Sequence, residues 1–100
     1  MVDLDTLSIW LCRRLRAEFV SEVWIFGSSL DANCQPNDID IIVQYLDKHS
    51  NEIPGWRRKI QCEFLECFRL PLHLLALTHS ECIEVATFLE SALRGARRVL

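Results

Sequence analysis

No C-x-x-C pair occurs in this sequence. Its five cysteines, Cys12, Cys34, Cys62, Cys67 and Cys82, are odd in number and scattered, which argues against a zinc site. Cys62 and Cys82 sit among apolar residues and are expected to be small core residues. Positive charge is not in excess either. A net charge of −3 argues against a dedicated nucleic-acid binder, whose affinity comes mostly from phosphate neutralisation by Lys and Arg. Three short basic clusters, Arg13-Arg14-Leu15-Arg16, Arg57-Arg58-Lys59 and Arg97-Arg98, read as solvated helix faces. The N-terminus lacks the basic-then-apolar pattern of a secretion signal. No apolar run reaches the roughly 18 residues of a membrane span. With reduced thiols, the expected compartment is the cytoplasm. Repeats, low-complexity stretches and linkers are also missing.

What is present is one domain, residues 1–100. Half of the residues are apolar, at the top of the ordinary globular range, and the excess goes into a dense core, a partner interface, or both. The surplus predicts a partner interface, in a homo-oligomer or a hetero-complex. Trp10, Trp24 and Trp56 are many large aromatics for such a core, so at least one is expected to anchor an interface.

Hydrophobic periodicity orders the elements. Leu4, Leu7, Leu11, Leu15 and Phe19 recur at helical spacing, with Asp3 or Asp5 as the cap. Val23 to Phe26 is a β-rich run halted by Gly27-Ser28-Ser29. Residues 32–37 carry loop chemistry. Ile39, Ile41, Ile42, Val43 and Tyr45 form a second strand, followed by a polar connection over 47–51. Ile53, Trp56, Ile60, Phe64 and Phe68 mark a helix that Leu70-Pro71 ends. Leu72 to Leu77 suggests a third strand, and Thr78 and Glu81 form a capping box. The last helix puts Cys82, Ala86, Leu89 and Leu93 on one face and stops at Gly95. The predicted fold class is α/β (α+β), with helices packed on a small three-stranded mixed sheet.

Asp38-Ile39-Asp40 carries the chemistry. Side chains alternate along a strand, so both carboxylates share a face, about 6–7 Å apart, while Ile39 enters the core. Like charges so placed need a cation, and hard oxygen ligands favour Mg²⁺. Gly27 lets backbone approach a phosphate, turn amides form an anion site, and the Ser28 hydroxyl can donate to a phosphate oxygen. A Gly-Ser turn beside Asp-x-Asp gives a triphosphate seat next to a metal seat, the arrangement of metal-assisted nucleotidyl transfer. The alternative is an unrelated α/β domain whose Asp38 caps a turn after Pro36-Asn37.

Phe26-Gly27-Ser28 followed by Asp38-Ile39-Asp40-Ile41-Ile42-Val43 resembles the G-S…D-x-D signature of the DNA polymerase β-like nucleotidyltransferases. The size resembles their minimal members, often antitoxins of HEPN-type ribonuclease toxins. The motif covers residues 26–43; the element order covers most of the chain. The resemblance implies Gly27, Ser28 and Ser29 at the nucleotide, Asp38 and Asp40 at Mg²⁺ or Mn²⁺, and catalysis by Asp38, Asp40 and the residue aligned with the family's third acid. Here that residue is His73. Imidazole can act as a base but is a poor Mg²⁺ ligand and suits softer ions; the alternative is a surface or core-edge histidine. Glu63 or Glu66 are possible substitutes. The loop after Ser28 also lacks the Arg or Lys that many relatives place near the phosphates.

Two functions follow from the resemblance. One is an enzyme moving a nucleoside monophosphate from ATP or another nucleoside triphosphate to a protein or RNA hydroxyl, as the antitoxin of a HEPN-type toxin. The other is a degenerate domain that neutralises or scaffolds a partner.

Overall fold

The structure, a computed structural model, describes residues 3–16, 19–27, 37–92 and 94–100. The chain runs through α1 (Leu4–Leu15), β1 (Val20–Phe26), β2 (Ile39–Tyr45), a 3-10 segment (Asp47–Glu52), α2 (Ile53–Phe68), β3 (Leu72–Thr78), α3 (His79–Glu84), α4 (Ala86–Ala92) and β4 (Arg97–Arg98). The strands form one mixed sheet in the order β3-β2-β1-β4. β2 is antiparallel to β1 and parallel to β3. The parallel pair needs a crossover, and α2 supplies it.

Asp3 caps α1, accepting from the Thr6 backbone at 3.3 Å and the Thr6 hydroxyl at 2.9 Å. Leu7, Leu11 and Leu15 bury one face of α1, and Ile60 and Phe64 bury one face of α2. Both meet Val23, Ile25, Ile39, Ile41, Val43, Leu72 and Leu74, the alternate residues of a single sheet face. Trp10 packs edge-on against Phe64 and Phe68, with centroids 5.4 and 5.7 Å away. α2 ends at Arg69, whose φ of 58° is left-handed and whose N–H donates to Leu65 O. Pro71 follows and cannot continue a helix.

Four expectations need correction. The sheet has a fourth strand: Arg97 and Arg98 pair with Ile25 and Trp24. Two residues carry no readable alternation, and β4 is held by tertiary contacts. Arg97 reaches Asp5 at 2.8 Å, and Arg98 lies 5.7 Å above the Trp24 ring. Phe19 lies beyond α1 and packs on Trp56 instead. Cys62 is exposed and Cys82 half-buried, because α2 turns positions 60 and 64, not 62, to the core. The last helix is two short ones broken at Val85 (φ −106°, ψ 24°). Cys82 and Leu89 are half-buried and Ala86 exposed; Leu93 lies outside the described residues. The amphipathic pattern is real, but α1 and α2 already fill the sheet's core face. Ile83 and Phe88 are left 66% and 58% exposed. The Thr78–Glu81 capping box forms as predicted. The three tryptophans are half-buried.

Candidate active site

The strand register assembles the site. Phe26 is paired with Asp40, and Asp40 with His73. These residues form one row across three strands, on the face opposite the helices α1 and α2. The next row is Trp24, Ile42 and Leu75, so the polar row is bordered by an apolar one. Asp38 precedes β2, and the neighbouring Ile39 N–H donates to Pro71 O at 3.1 Å, which fixes the start of β2 against that of β3. Ile39 is fully buried, so Asp38 and Asp40 flank an anchored residue and turn the other way.

The two carboxylates and His73 converge. Each offers one ligand atom, and these atoms lie within 4.8 Å of one another. His73 Nδ1 is 3.2 Å from Asp40 Oδ1 and 3.5 Å from Asp38 Oδ2. The His73 side chain is 60% exposed, those of Asp38 and Asp40 33% and 27%. The set is therefore reachable from solvent and partly shielded from it.

Gly27 closes the other side of the acids. Its φ is +83°, and a Cβ there would stand 2.9 Å from Asp40 Oδ2. Only glycine permits both that backbone and that approach. Ser28 and Ser29 lie outside the described residues, as does the rest of 28–36. Glu63 and Glu66 are not brought to the site: Glu63 pairs with Arg14 at 3.4 Å, and Glu66 is exposed.

The donor set fits a divalent cation. One oxygen of each aspartate lies within 4.8 Å of the other and of a His73 ring nitrogen, a spacing that a single ion can bridge. Two carboxylates alone suit Mg²⁺; a nitrogen donor beside them moves the preference towards Mn²⁺.

Sequence reasoning missed Arg57 and Gln61. An open cavity of about 380 Å³ is lined by Phe26, Asp40, Arg57, Gln61, His73 and Leu75, among others. Gln61 Nε2 donates to Leu72 O at 2.9 Å, tying α2 to β3 one residue before His73. The available signal was Arg57-x-x-x-Gln61, one face of a helix, but nothing in the sequence says which strand edge that face meets.

The fold is a small α+β domain with a four-strand mixed sheet, and two aspartates at the start of β2 meet a histidine at the start of β3. Two solved structures share this fold. One is a MntA-HpeT toxin–antitoxin in a mutant form with two aspartates, two positions apart, replaced by glutamate. Its TM-score is 0.61 at 15% identity, over 99% of this chain and 73% of that one. The other is a toxin–antitoxin with AMP-PNP, with a TM-score of 0.60 at 18% identity, over 97% and 73%. No protein-family model matches the chain, and no curated protein does.

Proposed function

We propose that this domain is a minimal nucleotidyltransferase that moves a nucleoside monophosphate from ATP or another nucleoside triphosphate to a hydroxyl of a partner, in the manner of a toxin–antitoxin pair. The observation that carries the reading is the convergence of Asp38, Asp40 and His73 beside Gly27. The fold relatives support it. One was solved with AMP-PNP, and the other carries its aspartate replacements at the same spacing as Asp38 and Asp40. The partner expected from the resemblance is a HEPN-type toxin, and an RNA hydroxyl is the other candidate acceptor.

Asp38 and Asp40 would hold Mg²⁺ or Mn²⁺, which supplies charge neutralisation for the phosphates. Gly27 keeps the turn close to Asp40 without a side chain between them. The resemblance assigns Ser28 and Ser29, which lie outside the described residues, to the phosphates. His73 takes the acceptor's proton. With Nδ1–H donated to Asp40, the tautomer is set and Nε2 carries the free lone pair. The acceptor oxygen then bonds to the α-phosphorus as the bond from that phosphorus to the bridging oxygen breaks, and pyrophosphate leaves. This assigns the ion to the carboxylates and the proton to His73, because one Nδ1 cannot both donate to Asp40 and ligate a metal.

A second reading rests on position 73 itself. When protonated, His73 pairs with both carboxylates and stands where a cation would. Exposed Leu75, Ile83 and Phe88 then belong to a binding module. Intact-mass analysis separates the two readings. The protein is incubated with each nucleoside triphosphate, Mg²⁺ or Mn²⁺, and a candidate toxin or RNA. Added nucleoside monophosphate, lost in Asp40→Asn, supports the enzyme. Partner binding with no mass gain for any nucleotide leaves the binding module.

A further inference from the structure

Resting on the nucleotidyltransferase reading, we infer that Arg57 of α2 is the cation that binds the nucleotide's phosphate tail, in place of a basic residue in the turn loop. The need for one is electrostatic. A nucleoside triphosphate brings several negative charges to a row that already holds two carboxylates, and a single divalent ion does not balance them. Residues 28–36 contain no Lys or Arg, and Asp31 adds a further negative charge.

Arg57 meets the requirement in three ways. It lines the cavity that also contains Asp40 and His73. None of the ion pairs among the described residues uses it, whereas Arg14, Arg97 and Arg98 each have a carboxylate partner. Its helix is held to β3 beside the site by the Gln61–Leu72 hydrogen bond. A second cavity of about 300 Å³ is lined by Ile53, Pro54, Arg57, Arg58 and Gln61. Arg57 and Gln61 line both cavities, and of the two only Arg57 carries a charge. An arginine there offers a planar fork that grips phosphate with two parallel hydrogen bonds. At the other side of the first cavity, Phe26 and Leu75 provide apolar wall. The tail would run from the carboxylates towards α2, with its terminal phosphate at Arg57.

The test is a binding series on the whole chain with Mg²⁺, by calorimetry, using ATP, ADP, AMP and inorganic tripolyphosphate as probes. Arg57→Ala should weaken ATP and tripolyphosphate about 10-fold or more, as loss of a charge-assisted contact implies, and AMP less than about twofold. Arg57→Lys should recover part of the loss, since it keeps the charge without the fork. Lys59→Ala, which removes an equal charge from an exposed position on the same helix, should change nothing. Arg57 is exposed and forms no ion pair among the described residues, so its variants should melt like wild type. If Arg57→Ala binds ATP as wild type does while Asp40→Asn does not, the inference falls and the nucleotidyltransferase reading stands. Equal losses in Arg57→Ala and Lys59→Ala also overturn it, by showing only a diffuse basic surface. If wild type binds none of the four probes, both fall. Tripolyphosphate binding that needs Arg57, with no transfer under any condition, upholds the anion site and removes the enzyme.

Discussion

Gly27→Ala tests the closest approach in the site. At φ +83°, alanine puts its Cβ in a region that costs an L-residue about 1–2 kcal/mol. That Cβ would also lie 2.9 Å from Asp40 Oδ2, so the carboxylate must turn away. A side chain driven off its rotamer costs about 0.5–1.5 kcal/mol. The smaller entropy of an unfolded alanine returns about 0.4–1 kcal/mol. The net loss is about 1–2.5 kcal/mol, which for a chain of this size lowers the melting temperature by about 5–20 °C. Circular dichroism melts in a chelator measure this without metal effects. A cycle with Asp40→Ala then isolates the contact: with the carboxylate gone, Gly27→Ala should cost less by about 1 kcal/mol, leaving the backbone term. A Mn²⁺ titration should show weaker binding in Gly27→Ala, because the displaced carboxylate is a proposed ligand. The reasoning fails if Gly27→Ala melts within about a degree of wild type, or if the cycle shows no coupling between the two positions.

His73→Asp places a third carboxylate among ligand atoms that lie within 4.8 Å. In a chelator it should destabilise by about 1 kcal/mol, discounted for the exposure of position 73. Added Mg²⁺ should raise its melting temperature more than that of wild type, and an equal response would remove the metal assignment. Hydrogen bonds from Thr6, side chain first and backbone second, hold the Asp3 carboxyl below its usual range. A depressed acid contributes stability above its unfolded value and loses it as pH falls through the folded one. Asp3→Ala should therefore lower the melting temperature at neutral pH. The gap to wild type should close once pH drops below the usual carboxylate range; a gap that persists in strong acid contradicts the cap. Burial, then Glu22 and Glu81, pushes the Cys82 thiol up. A thiol reagent followed by peptide mass analysis should label exposed Cys62 and Cys67 before Cys82, since the thiolate is the reactive form.

Local sequence was sufficient for a large part of this protein. The period-two run of Ile39, Ile41 and Val43 specifies a strand with one buried face, and that alternation alone turns Asp38 and Asp40 to the other side. The 3.6-residue recurrence of Ile53, Ile60 and Phe64 sets α2 and its buried stripe. Thr78 and Glu81 define their own cap, because both partners lie within one turn. Gly27 beside a halted strand marks a turn that needs a positive φ. Each of these depends on residues a few positions apart, where spacing and geometry are one fact.

The tertiary structure decided the rest. His73 meets Asp40 because β3 lies parallel to β2 in one register, and a slip of one residue would turn His73 to the core. β4 exists only because β1 offers it an edge and Asp5, Glu22 and Trp24 hold its arginines. The amphipathic pattern after Thr78 predicted a buried face. Burial, however, requires an opposing surface, and α1 and α2 had taken it. Arg57-Arg58-Lys59 read as a solvated face from sequence because charge density is local. That Arg57 borders the same cavity as Asp40 and His73 depends on how α2 crosses from β2 to β3, a path set by the packing of Ile60 and Phe64 into the core and by Gln61 against Leu72.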